Sequence, residues 1–399
     1  MDAGLGGPNA RLARGFVPEI EGLRAFAILA VMLHRFWPHS GPLSRYAHVA
    51  ELGWMGVDLF FVISGFLIAG ILFDSRGQPG YFKNFYARRA LRIFPLYYLF
   101  IAAVLIVFPL VEGGPFAKTE FIRSAGSPLY YLLYLGNVPE MIGYDPPFFL
   151  APVWSLAIEE QFYLLFPLLV AVLHRKAIVW LMVGAVLFAP VFRVATLLLW
   201  PDNERVQYLA TPSRFDEIAL GALLAAALRG LPVVLSRGHA HALLGGAAVV
   251  FGIALASGGL DRTGTFGRVG GYSIVALTCT AVVLWSVVNR GRSGAAALLR
   301  WPPLMYVGKL CYGLYLLHRP ASFLVDALLA RAPLVAPDSV WAVALKVAVA
   351  LGLATLSWRL LEQPILRLKD RFVFRDATGG ADANRDPPVL APTPRPNPS

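Results

Sequence analysis

Several side chains able to do chemistry stand in the middle of long apolar stretches: Arg24 and His34 in one, the pair Glu159 and Glu160 in a second, Lys309 and His318 in a third. A formally charged group in hydrocarbon costs at least ~2.5 kcal/mol, so each implies a polar cavity or a partner inside a helix bundle. His34 ends an apolar run that follows Glu21-Gly22-Leu23-Arg24. An imidazole is the side chain best suited to take a proton from a hydroxyl near neutral pH. Trp37 and Pro38 beside it leave a second reading, a histidine satisfied at the headgroup boundary. In Trp154-Ser155-Leu156-Ala157-Ile158-Glu159-Glu160-Gln161, three hydrogen-bonding side chains in a row cannot all face lipid. A carboxylate there can orient an imidazole or hold a sugar hydroxyl, or belong to a polar network between helices.

Arg88, Arg89 and Arg92 fall within one helical turn of each other. Three guanidinium groups so placed can hold a polyphosphate through paired hydrogen bonds, and they equally suit an anchor on anionic lipid. Asp58 leads into an aromatic helix in which Ser64 and Gly65 offer a small surface to another helix or to an acyl chain. Tyr315 precedes His318 by one turn, and Arg214 with Asp216 and Gly221, and Ser357 with Glu362, are weaker companions. No Gly-x-Ser-x-Gly elbow, metal-spaced His/Cys set, Walker loop or dinucleotide fingerprint is present.

The elements that must position these groups are membrane helices. The chain has 399 residues, 57% of them hydrophobic and 15% charged, with mean hydropathy +0.62, which is too apolar for a soluble domain of this size. Segments long enough to cross a ~30 Å hydrocarbon core fall at 20–36, 53–73, 92–111, 151–173, 178–200, 215–229, 240–258, 269–289, 303–325 and 338–361. The fold class expected is therefore all-α, polytopic, with about ten transmembrane helices. Leu129 to Leu135, broken by Pro128 and Pro139, reads as a re-entrant or surface piece. The first apolar run lacks a small-x-small cleavage pattern and reads as a retained helix. The net charge of +11 does not point to nucleic acid, because the basic residues gather in alternate loops: Arg76 to Arg89, Arg175 and Lys176, Arg229 and Arg237, Arg290 to Arg300. That asymmetry places both termini in the cytoplasm. The expected organisation is a cytoplasmic segment over 1–19, a membrane domain over 20–370 and a disordered Pro-rich tail over 371–399. Cys279 and Cys311 lie in apolar segments and suggest no disulfide. Nothing sets an oligomeric state.

Taken in order, these segments resemble the integral-membrane acyltransferase family 3, the O-acyltransferases that modify cell-envelope sugars and related molecules. The resemblance spans 20–370 and rests on five ordered motifs. It implies transfer of an acyl group, commonly acetyl, from acetyl-CoA or another acyl-CoA in the cytoplasm to a hydroxyl of a carbohydrate or glycolipid acceptor reached from the other side of the inner membrane. The acyl-CoA is a co-substrate, with no cofactor bound permanently. Carried over residue by residue, Arg24 and a first-helix histidine belong to the active site, and Arg88, Arg89 and Arg92 match the arginine motif that would hold the CoA phosphates. Glu159 matches the glutamate after Trp-Ser-Leu, and His318 the histidine of a Tyr-x-x-Tyr-Leu-x-His-like element. The resulting expectation makes His34 the general base, Glu159 its orienter and Arg24 a third catalytic residue. Asp58, Ser64, Trp154, Ser155, Glu160, Arg214, Asp216, Lys309, Tyr315 and His318 are then substrate-binding. Direct transfer is expected, since no nucleophile paired with a base is evident in the sequence.

One departure stands out. Most relatives have ten residues between the arginine and the histidine, whereas nine separate Arg24 from His34 here. At about 100° per residue, His34 is turned about 80° from Arg24, while Arg35 lies within about 20°. His34 remains the expected base because a guanidinium cannot act as one. Two other readings compete: a transporter of a small solute or glycan precursor, using the same buried charges, and a catalytically silent assembly subunit. The lack of an internal repeat weighs against the transporter.

Overall fold

The computed structural model describes residue 12 and residues 15–107, 124–230, 235–292, 294–332 and 335–372. The expected tail beyond Phe372, most of the N-terminal segment and the end of the expected third span lie outside the described residues. Among the described residues the chain is all-helical, without a strand.

Among the described residues ten long helices follow one another: α1 (Pro18–Phe36), α2 (Met55–Ser75), α3 (Tyr81–Ala102), α4 (Val153–Val172), α5 (Arg175–Leu199), α6 (Phe215–Gly230), α7 (Arg237–Ala256), α8 (Tyr272–Val288), α9 (Cys311–Arg331) and α10 (Val340–Ser357). Seven of them, α2, α3, α4, α5, α7, α8 and α10, are long and apolar enough to cross a membrane. The expected ten spans thus all become helices, but three do not qualify on length and composition. α6 has 16 residues, and α1 and α9 carry Glu19, Glu21 and Arg24, and Arg319, Asp326 and Arg331. Their charged residues are tolerable because much of each helix is turned into the bundle: Ile20, Leu23, Ala25 and Ile28 of α1 and Ile218, Ala222 and Leu228 of α6 are buried. The chain is a multi-pass membrane protein.

Two boundaries differ from the sequence expectation. α3 starts at Tyr81, ahead of the expected position near 92, because Gly80 adopts the left-handed conformation (φ +76°) that turns the chain into the helix. The arginine trio therefore sits inside α3 rather than ahead of it. The expected span 303–325 is interrupted at Leu310, giving an eight-residue helix, Pro302–Lys309, that packs on α1, followed by α9.

α2 and α6 approach each other most closely. A Cβ on Gly65 would lie 2.0 Å from the carbonyl oxygen of Ile218, and one on Gly221 2.1 Å from that of Val62. Only glycine fits this crossing. The small surface at 64–65 is thus divided: Gly65 serves helix packing, while Ser64 faces elsewhere. Residues 124–141 form two short helices, Pro128–Leu132 and Val138–Met141, too short to span and pinned to α3 by Tyr97 Oη, which donates to the Tyr131 carbonyl over 2.7 Å.

Candidate active site

α1, α2, α3, α4 and α9 enclose a chamber of about 480 Å³ that opens at the face carrying the N-terminus of α1, between Phe16, Asp74, Gln78, Arg88 and Lys369. Arg24, Ser64, Arg88, Arg89, Arg92, Ser155, Glu159, Glu160 and Tyr315, all singled out from the sequence, line it. So do Tyr163, Cys311, Tyr312 and the Asp74–Arg229 pair. The lining holds six basic side chains, Arg24, Arg88, Arg89, Arg92, Arg229 and Lys369, against four acids, Glu21, Asp74, Glu159 and Glu160. An anion entering from this face therefore meets a net positive wall.

Several of these charges are tethered. Arg24 Nη1 donates to Glu21 Oε1 over 3.0 Å, one turn away on α1. Arg229 makes a two-pronged pair with Asp74 at the mouth, 2.9 and 2.7 Å. Arg88 Nη1 donates to the Phe372 carbonyl over 3.1 Å, tying the Arg367–Arg371 turn to α3. Arg89 lies 5.4 Å over the ring of Tyr163.

Glu159 sits at the inner wall in a compact set of hydrogen bonds. Ser64 Oγ donates to Glu159 Oε1 over 2.8 Å, and Tyr163 Oη lies 3.2 Å from Glu159 Oε2 and 3.0 Å from Ser64 Oγ. Tyr163 follows Glu159 by one helical turn, so α4 presents both on one side. Arg24 and Arg89 lie within electrostatic reach of this carboxylate. Glu160 lines the same chamber, whereas the third polar residue, Gln161, turns away to the Tyr134 carbonyl (2.9 Å), Asn137 Oδ1 (3.2 Å) and Thr211 Oγ1 (2.6 Å). At the far end of the chamber Ser155 Oγ and Tyr315 Oη share a 2.5 Å hydrogen bond between α4 and α9.

The remaining expected site residues are not in the chamber. His34 lies ten residues beyond Arg24, about 15 Å further along α1 at 1.5 Å per residue, packed over Gly53, whose Cβ would meet the His34 Cβ at 2.9 Å. Both of its ring nitrogens are buried without a hydrogen-bond partner. Of Arg24, His34 and Glu159, the three residues expected from the sequence to act together in catalysis, the chamber therefore holds two. The extra rotation and the axial rise carry His34 away, and Arg35 instead comes within electrostatic reach of Tyr315, His318 and Arg319. His318 is buried one turn past Tyr315, with Nδ1 2.8 Å from the Tyr315 carbonyl, Nε2 unpartnered and Phe36 against its ring. Nearby at this opposite end, burial raises the Glu140 carboxyl above the ordinary carboxylate range, against the pull of Arg205, Arg319 and Arg35. Lys309 caps the Trp358 ring at 4.8 Å and does not line the chamber.

Asp58, Arg214 and Asp216 form a separate buried network. Arg214 Nη2 pairs with Asp58 Oδ1, and Arg214 Nη1 lies 3.2 Å from Glu217 Oε1. Its guanidinium is walled by Tyr272 at 4.6 Å, Tyr208 at 5.1 Å, Phe61 at 5.6 Å and Trp154 at 5.8 Å. Arg193 grips Asp216 with two hydrogen bonds, 2.7 and 3.3 Å, and spends its other donors on Ser273 Oγ and the carbonyls of Ser213 and Val269. Trp154 thus belongs to the wall of this network rather than to the chamber.

Sequence reasoning missed Tyr163, Lys369, Arg193, Glu217 and the Asp74–Arg229 pair. Tyr163 was legible in principle from its spacing to Glu159, and Arg193 from its place inside an apolar run. Lys369 gave no signal, since only the return of the chain past α10 brings it beside Arg88.

A family model described as an acyltransferase domain, acyltransferase family 3, matches residues 17–359. Similar proteins include a peptidoglycan O-acetyltransferase OatA of Listeria monocytogenes, 29% identical over 90% of this chain and 57% of that protein. An O-acetyltransferase OatA of Staphylococcus aureus is 28% identical over 88% of this chain and 57% of its own length. A putative peptidoglycan O-acetyltransferase YrhL of Bacillus subtilis is 28% identical over 88% and 55%. The chain spans a little over half the length of these curated relatives. No solved structure matches. Nothing among the matches supports a transporter. With the family model covering most of its length, the chain belongs to acyltransferase family 3.

Proposed function

We propose that this protein is a membrane O-acyltransferase that moves an acyl group, acetyl in the first instance, from acyl-CoA to a hydroxyl of an extracytoplasmic carbohydrate. Peptidoglycan, named in two of the relatives above, is the first acceptor to test, ahead of lipopolysaccharide and exopolysaccharide. The observation that carries the reading is the chamber itself, in which Arg88 stands at the open end and Arg89, Arg92, Arg24 and Glu159 line the interior. The guanidinium groups hold the CoA phosphates with paired hydrogen bonds, and the thioester reaches inward to Arg24 and Glu159. An arginine there stabilises the oxyanion that develops at the carbonyl.

On this reading ten helices cross the inner membrane, with both termini and the mouth of the chamber in the cytoplasm. The charge asymmetry of the loops supports that orientation. No cofactor is bound permanently, and CoA enters and leaves as a co-substrate. His318, with Tyr315 and Arg319, receives the acceptor at the opposite end.

Two residues compete for the role of general base. The family resemblance assigns it to His34. The chamber favours Glu159, which lies among the basic groups while His34 stands about 15 Å beyond Arg24. Purified protein given acetyl-CoA and a peptidoglycan acceptor tests both points. Acetyl transfer is expected, with Glu159→Gln severely impaired. Retention of activity by Glu159→Gln together with its abolition in His34→Ala would return the base to His34. Uptake of labelled acetyl-CoA into vesicles without covalent transfer would contradict the enzyme reading.

A further inference from the structure

The hydrogen bond between Ser64 and Glu159 is invisible in the sequence, where the two stand 95 positions apart. It joins a hydroxyl on α2 to a carboxylate on α4, and both residues line the chamber. The hydroxyl donates to the carboxylate across 2.8 Å, and Tyr163 Oη braces both members at 3.0 and 3.2 Å. A weak oxygen nucleophile held with its proton on an adjacent base is the arrangement that covalent catalysis requires. Arg24 and Arg89, within electrostatic reach of the same carboxylate, put positive charge beside the pair, the kind of group that stabilises a developing oxyanion. The crossing at Gly65 and Gly221 fixes this part of α2, because neither glycine leaves room for movement toward its neighbour.

We propose that Ser64 carries the acyl group as a covalent ester, with Glu159 as its base, so that transfer proceeds in two half-reactions. The proposal rests on the acyltransferase reading above. In the first half, the Ser64 proton passes to Glu159, Oγ bonds to the thioester carbonyl carbon, and the carbon–sulfur bond breaks. The departing thiolate takes the proton from Glu159 and leaves as free thiol. In the second half, the acceptor hydroxyl bonds to the ester carbonyl carbon while its proton passes to Glu159. The carbon–Oγ bond then breaks, and Oγ recovers the proton from Glu159. Donor and acceptor then need not occupy the chamber together, although they arrive from opposite faces.

The full chain, purified and incubated with acetyl-CoA in the absence of acceptor, is quenched in acid and examined by peptide mass spectrometry. The expected result is one acetyl group on Ser64 and a burst of free CoA matching the amount of protein. Ser64→Ala loses the adduct and transfers at least ~100-fold more slowly, with CoA binding and thermal unfolding unchanged. Ser64→Cys forms instead a thioester that neutral hydroxylamine cleaves. Wild-type transfer rates in Ser64→Ala, or continuing transfer by the wild type while Ser64 stays unmodified throughout turnover, would overturn the proposal. A wild-type protein that neither releases CoA nor acylates any acceptor would overturn the acyltransferase reading itself, and this assignment with it.

Discussion

Two regions of this molecule bury acids and bases in apolar surroundings, and they treat them differently. Around Arg193 and Arg214 the charges face one another and not open space: Arg193, Arg214, Asp58, Asp216 and Glu217 are fully buried, Arg193 spends its donors on Asp216, Ser273 and two carbonyls, and Arg214 pairs with Asp58 and Glu217 while its Nε and Asp58 Oδ2 keep no hydrogen-bond partner. Around Glu159 the charges border open space of about 480 Å³, and the basic side chains outnumber the acids. Burying a charge demands a partner in either case. Where the partner is another side chain, the group becomes scaffold; where part of the partnership is left to a ligand, it becomes a site.

Substitutions can break that contrast. Removing one member of the closed network leaves its partner charged and buried, so Arg193→Ala is expected to cost about 3–5 kcal/mol of stability, read as a large fall in the unfolding temperature of the detergent-solubilised protein. Replacing Arg193 by Met and Asp216 by Leu together should recover most of it. A double variant no more stable than the single one would mean that the network does more than neutralise itself. Next in size, Gly221→Ala drives a methyl group into the Val62 carbonyl, an overpacking expected to cost about 1–3 kcal/mol, measured in the same way. An unchanged unfolding temperature would show that α2 and α6 can separate freely.

The open region should respond in kinetics rather than stability. Lys369→Gln removes the half-buried ammonium at the mouth and should raise the KM for acetyl-CoA about tenfold, as expected from one charged hydrogen bond at a partly exposed site, with kcat nearly constant. A fall in kcat at unchanged KM would move Lys369 out of donor binding and into the chemical step.

Much of this was legible in the residues. The ten helical segments follow from apolar length, and Arg24, the α3 arginines and Glu159 stand out because charge in hydrocarbon demands an explanation. Three things were not legible. The rule that buried charge signals function cannot tell a charge paired inside the bundle from one that borders a cavity, so Asp58, Arg214 and Asp216, which pair with buried side chains outside the chamber, read in the sequence just as Glu159 does. Helical spacing foretold that His34 is rotated from Arg24, but the distance that separates it from the chamber depends on where the cavity ends, at Ser155 and Tyr315. The pairing of Ser64 with Glu159 depends on which faces of α2 and α4 meet, and Gly65 gave the only hint, by showing which side of α2 is occupied by α6.

The chamber, and not the Arg193–Arg214 network, is the proposed seat of acyl transfer. The most direct test is the rate of acetyl transfer from acetyl-CoA by Glu159→Gln, measured on folded protein of unchanged unfolding temperature. A fall of at least ~100-fold is expected, the scale of losing a positioned proton-transfer group. A rate within a few-fold of wild type would contradict it.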